Sequence, residues 1–211
     1  MLFRSLQTLL HILIGLFFFY FANNCISAGA QSITQGGRLI LNQAFPRALL
    51  PFSSSISAFQ QFLPTIPVYF VILLLIKIFS KSTVVAGFTI NLLWVPLLVA
   101  LIGLTGFGLA LAFATMNVYF RDTNKLLSYV LRIWLYVSPV LWEPTMLHGW
   151  HRIALYVNPL GPVLSANADV WVLGRAPSLN FLLGASFWAI FSILFGGYFF
   201  VSREQIGRAH V

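Results

Sequence analysis

Acidic residues are nearly missing from this sequence. Its 211 residues carry four Asp and Glu against 12 Lys and Arg, and charged residues of both signs make up 8%. A soluble domain has about a quarter of its residues charged, so a fully water-exposed surface is excluded. Cysteine is reduced to Cys25, which excludes an intramolecular disulfide and says nothing of compartment. No G-x-x-x-x-G-K-[ST] phosphate loop occurs, so the chain is not expected to hydrolyse ATP. H-E-x-x-H and paired Cys are absent as well, and no metal or cofactor is expected. His148 and His151 stand near Glu143 in "WEPTMLHGWH", but they read as polar residues of a surface loop rather than ligands. His11 lies in an apolar run and reads as packed or interfacial. The net charge of +8 would suggest nucleic acid in a soluble protein. Here the basic residues stand singly at the ends of apolar runs, as membrane anchors do, and no basic patch exists to meet phosphates.

What fills the chain is apolar: 59% of residues are hydrophobic, 21 are Phe, and the mean hydropathy is +0.90. Several runs reach the roughly 20 residues a helix needs to cross a bilayer. Without water, each span must satisfy its own backbone, which favours helices. A β-barrel would alternate polar and apolar residues, and "VYFVILLLIKIF" does not. The expected fold is an all-α polytopic membrane protein. Apolar runs cover residues 2–23, about 62–79, 86–116, 125–142 and 179–201. Residues 153–174 form a further segment broken by Pro159, Gly161 and Pro162. That predicts about five spans and one broken segment.

Charge bias does not orient these spans. With a cytoplasmic C-terminus, Arg38, Arg47, Arg121, Lys125 and Arg203 lie inside, while Arg4, Lys77, Lys81, Arg152 and Arg175 lie outside. That balance decides nothing. Two stretches have a second reading. Arg4, the apolar run after it and "SAGA" (27–30) together resemble a secretory signal with a small-residue cleavage site. The terminal "IGRAHV" can be encoded by ATC GGA AGA GCA CAC GTC, part of a common short-read sequencing adapter. The preceding AG completes a CAG codon for Gln205, and the next triplet, TGA, is a stop. Residues 205–211 are therefore read as an artefact and 1–204 as a single domain.

The adjacent Arg121 and Asp122 in "MNVYFRDTNKLL" (116–127) need a location. A charge at the bilayer centre costs about 2.5–3.5 kcal/mol, and neighbours on a helix point apart. A membrane–water boundary is cheaper. There Asp122 can cap the helix that starts near Lys125, and Arg121 can snorkel to lipid phosphate.

Four elements occur in order: "NQAFPRALLP" (42–51), the F-R-D elbow, "SPVLW" (138–142) and "YVNPLGPVL" (156–164). Together they resemble the permease subunit of ABC-type polysaccharide and polyol-phosphate exporters, from about residue 15 to Glu204. The resemblance implies that Phe45, Pro46 and Arg47 form a cytoplasmic region coupling to a separate ATPase subunit. It implies that Arg121 and Asp122 form a cytoplasmic elbow. Pro139, Trp142, Asn158 and Pro159 would bracket a re-entrant, outward-facing segment, and Arg203 and Glu204 would start a cytoplasmic tail. It further implies two copies of each subunit, a polysaccharide substrate and a bacterial cytoplasmic-membrane location. Two departures stand out. Family members have six spans, with an amphipathic segment and one more span before this region, so Met1 reads as an internal residue of a longer frame. An Arg common after N-P-L is replaced within "SANADV" (165–170).

Trp134, Tyr136, Trp142, Trp150 and Tyr156 cluster around the fourth run. The first three are candidate glycan contacts, although Trp and Tyr collect at any membrane interface. A membrane-embedded glycosyl- or acyltransferase is the rival reading. It would group acids or His at one interface, whereas Asp122, Glu143, Asp169 and Glu204 fall in separate loops. A secondary transporter would place an ionisable residue inside a span. Arg132, two turns from Lys125, is the nearest candidate.

Overall fold

The computed structural model describes residues 2–36, 46–80, 89–120, 122–147 and 149–208, and every regular element among them is helical. The helices are α1 (Leu2–Gln35), α2 (Leu49–Phe62), α3 (Thr65–Ser80), α4 (Val95–Tyr119), α5 (Thr123–Val137), α6 (Ile153–Val157), α7 (Gly161–Trp171) and α8 (Leu179–Arg208). Pro51, Pro67, Pro96 and Pro162 each sit in a helix's first turn, where the missing N–H has no helical partner to lose.

Four of the described segments are long and apolar enough to cross a bilayer: Leu6–Gln35, Leu49–Ile76, Ile90–Tyr119 and Leu179–Arg203. The chain is a multi-pass membrane protein. The run predicted from residue 125 to 142 is helical only to Val137. Fifteen residues span about 22 Å, short of the ~30 Å hydrocarbon layer. The run is therefore not among the four membrane-length segments; non-helical residues 138–142 continue beside α1, where Val140 is wholly buried and packs against Gly15. The broken segment is confirmed as broken, since α6 and α7 are separated by Asn158–Leu160.

α4 is the central pillar, packed between α1 and α8. Association of helices in lipid depends on close contact between small residues, and α4 has them on both sides. Gly106 faces Cys25 and Ala110 faces Gly29 across the α1 seam. On the other side Gly108 lies against the backbone of Ser192 and Gly196 against the carbonyl of Gly108, leaving no room for a Cβ on either. The stretch "SAGA" lies within α1 in this seam, with Ala30 wholly buried. Its small residues pack helices, and the Asn117 amide of α4 donates to Ala30 O at 3.0 Å.

Candidate functional site

The two ends of the bundle are built differently. At one end, residues 138–147 and 149–178 fold over the start of α1. Its centre is Asn158, 7% exposed. Trp134 Nε1 donates to Asn158 Oδ1 at 2.7 Å, the Leu160 N–H donates to the same oxygen at 3.0 Å, and Asn158 Nδ2 donates to Ser138 Oγ at 3.0 Å. The S-P-V and N-P-L elements thus tie to each other through their polar residues. Pro139 is buried and Pro159 half-buried beside that tie. Gly161 is pressed against Leu155 O, a position no side chain could take. Trp188 of α8 donates to Tyr156 O at 2.7 Å. On α1, His11 Nε2 donates to Trp142 O at 3.1 Å and Thr8 Oγ1 to Glu143 Oε1 at 3.3 Å.

Beside this knot is an ion pair that the sequence did not reveal. Asp169, 3% exposed, accepts from Arg175 Nη2 at 2.7 Å and Nε at 3.1 Å, and from the Ser178 N–H at 3.3 Å. Gly174, with φ 64°, turns the chain back so that Arg175 can reach it. Its carbonyl accepts from Asn91 Nδ2 at 2.7 Å. The expectation that the acids stay apart needs correcting here: Glu143, Asp169 and His11 line one cavity of about 120 Å³. Folding brings α7 and the turn at Glu143–Thr145 together over α1. Both carboxylates are already bonded, Glu143 also accepting from Thr145 Oγ1 at 3.3 Å.

The expected aromatic cluster divides. Trp134, Trp142 and Tyr156 are half-buried, Trp134 bonded to Asn158 and Trp142 Nε1 to Tyr136 O at 3.2 Å. Trp150 is exposed and stacks on His151 at 4.1 Å. His148 lies outside the described residues.

Tyr136 belongs to a different pattern. α5 buries Thr123, Leu127 and Leu131, half-buries Asn124, Trp134 and Leu135, and leaves its other residues exposed. On that surface Lys125, Tyr129, Arg132 and Tyr136 are all exposed. Their spacing of four, three and four puts them in one stripe along the helix. Leu126, Val130, Ile133 and Val137, also exposed, repeat the same spacing one position on. The spacing was available in the sequence, but only the packing of α5 reveals that the stripe is uncovered.

At the opposite end lies the elbow. Arg121 and Phe45 fall outside the described residues. Asp122 occupies the N-cap position of α5, but its side chain makes no capping bond and instead faces Lys125 Nζ at 3.6 Å. The reason is its backbone, which is already helical (φ −76°, ψ −10°); a capping side chain works from an extended one. The corner is held by backbone bonds, Thr123 N to Phe120 O at 3.0 Å and Leu126 N to Asp122 O at 3.1 Å. Nearby, Pro46 is exposed and Arg47 half-buried at the turn into α2. Arg47 and Arg203 share a cavity of about 190 Å³ with Ile33, Thr115, Val118, Tyr119 and Phe200.

The chain is similar to known proteins along most of its length. An O-antigen export system permease protein RfbA of Klebsiella pneumoniae is 26% identical over 166 residues, covering 77% of this chain and 60% of the relative. A second from that organism is 24% identical over 168 residues, covering 78% and 61%. One from Myxococcus xanthus is 24% identical over 196 residues, covering 91% and 72%. The chain therefore spans about three-fifths of the length of the two Klebsiella relatives. Residues 1–169 match the family described as ABC-2 type transporter, and with most of its length matched, the chain belongs to that family.

Proposed function

We propose that residues 1–204 form a permease unit of an ATP-driven exporter that moves a polysaccharide, lipid-linked or polyol-phosphate glycan across a bacterial cytoplasmic membrane. Two copies meet along α5, and a separate nucleotide-binding subunit hydrolyses ATP. The observation that carries this is the uncovered stripe of Lys125, Tyr129, Arg132 and Tyr136. Facing lipid, a central arginine would cost about 2.5–3.5 kcal/mol. Facing a water-filled path between two copies, it keeps its hydration and offers a cation to anionic substrate, while the tyrosine rings offer faces to sugars. The neighbouring aliphatic stripe packs against the second copy.

In this reading the elbow end is cytoplasmic. The ATPase pushes on Phe45, Pro46 and Arg47, and α2 transmits the motion to α1, against which it packs through the stacked rings of Phe21 and Phe62, 4.8 Å apart. The bonded knot around Asn158 holds the outward end of the path. Trp134 and Trp142 act there by shaping the wall, whereas Tyr136 touches glycan. The O-antigen permeases among the relatives support the substrate class.

Arg132→Glu in the assembled transporter, at equal membrane abundance, is expected to lower export by roughly ten-fold or more through charge reversal in the path. Normal export by that variant would refute a path along α5. Arg47→Glu should separate ATP hydrolysis from export while the protein stays in the membrane, and unchanged export would remove the coupling role.

A further inference from the structure

The cavity shared by Arg47 and Arg203 is not accounted for by transport. It lies where α1, α4 and α8 end together, with Ile33, Thr115, Val118, Tyr119 and Phe200 completing its wall. Among the described side chains, which do not include that of Glu204, neither guanidinium is paired with a carboxylate, and no acidic one lines the cavity. Arg203 is held in position: its carbonyl accepts from Tyr119 Oη at 3.4 Å, and its guanidinium carbon lies 5.8 Å from the Phe199 ring centroid. Arg47 is fixed at its root by the turn in which the Leu50 N–H donates to its carbonyl at 3.2 Å. Two cations converging on an apolar hollow at a membrane boundary match a ligand that is anionic at one end and apolar at the other.

We infer that this cavity binds the phosphate of an anionic glycerophospholipid, with the two arginines on the phosphate, Thr115 beside the glycerol, and Ile33, Val118 and Phe200 against the first acyl carbons. Basic pockets between membrane helices suit such headgroups, and the guanidinium fork suits phosphate oxygens. A bound headgroup bridges the turn into α2 and the end of α8. The charge of the surrounding leaflet would then set how firmly the turn at Arg47 is anchored.

The full chain is reconstituted in phosphatidylcholine vesicles containing photoactivatable phosphatidylglycerol or, separately, photoactivatable phosphatidylcholine. Labelled peptides are then mapped. Phosphatidylglycerol should label the ends of α4 and α8 well above phosphatidylcholine. Arg47→Gln and Arg203→Gln should each lower that labelling by about five-fold, the effect of one basic residue near an anionic surface. Arg47→Lys and Arg203→Lys should retain most of it. Phosphatidylcholine labelling of mid-α8 should be the same in every variant, reporting an intact bundle. Equal labelling by the two lipids, or full labelling in the double Gln variant, would overturn the proposal. Displacement by inorganic phosphate would reassign the site to a free anion, and displacement by an equal amount of a polyprenyl diphosphate to a carrier lipid; both overturn the assignment. The readout requires no ATPase, so it can fail while the exporter reading stands.

Discussion

The knot end and the elbow end both carry polar side chains and use them in opposite ways. At the knot, Asn158, Ser138, Trp134, Asp169 and Arg175 bond one another inside the chain. At the elbow, Asp122 and Lys125 pair at 3.6 Å with both side chains more than four-fifths exposed, and Arg47 and Arg203 face a hollow. Buried polar groups stabilise only when fully partnered, so the first arrangement defines a rigid wall. The second leaves charge available to whatever docks. The difference separates an end whose polar groups are closed on one another from an end whose charges stay open.

The comparison breaks most decisively at Asn158. Asn158→Ala removes both acceptor and donor and strands Trp134, Ser138 and the Leu160 N–H. At about 1–3 kcal/mol for each stranded group, a loss near 3 kcal/mol is expected in reversible detergent unfolding. A loss below about 1 kcal/mol would mean that the knot is not what holds this end. Arg175→Ala should come next, at about 3 kcal/mol or somewhat less, because it leaves the carboxylate of Asp169 buried without its cation. Asp169→Ala should cost less than Arg175→Ala, since the side chain of Arg175 is 60% exposed and can turn to water. The reverse order would contradict the burial asymmetry. The smallest effect belongs to the elbow. Lys125→Ala should change stability by less than about 0.5 kcal/mol, as exposed i,i+3 pairs do, and an effect comparable to that of Asn158→Ala would erase the distinction between the ends.

Much of the fold was legible from the apolar runs, because hydrophobic length alone commits a segment to the membrane. The additions in the structure are polar stretches whose side chains satisfy their own helix. α2 reads "LLPFSSSISAFQQF" and was left out of the predicted span, yet it is helical and joins α3 in one membrane-length segment. Ser53 Oγ donates to Leu50 O at 2.9 Å, Ser54 Oγ to Pro51 O at 2.8 Å and Ser57 Oγ to Ser53 O at 3.0 Å. A serine bonded back to the preceding turn presents little unsatisfied polarity to lipid. Likewise α1 continues to Gln35 through Ser32, whose Oγ donates to Gly29 O at 2.7 Å. Hydropathy counts such residues as polar and so ends the spans early.

The site was legible as motifs and not as contacts. Asn158 and Pro139 were singled out from the sequence, but their tie through Ser138 and Trp134 joins residues 20 and 24 positions apart. The partner of Asp169 depended on the left-handed turn at Gly174.

By itself the sequence determined that the chain lives in a bilayer, that its backbone is helical, and that its basic residues stand singly, mostly at the ends of apolar runs. Those follow from the cost of exposing apolar surface to water and bare peptide groups to hydrocarbon. Tertiary structure alone decided which polar groups would be satisfied within the chain and which would be left facing outward. That choice turns on close approach: glycines that let α4 touch α8, and a fold-back that sets Asn158 and Asp169 among partners distant in sequence.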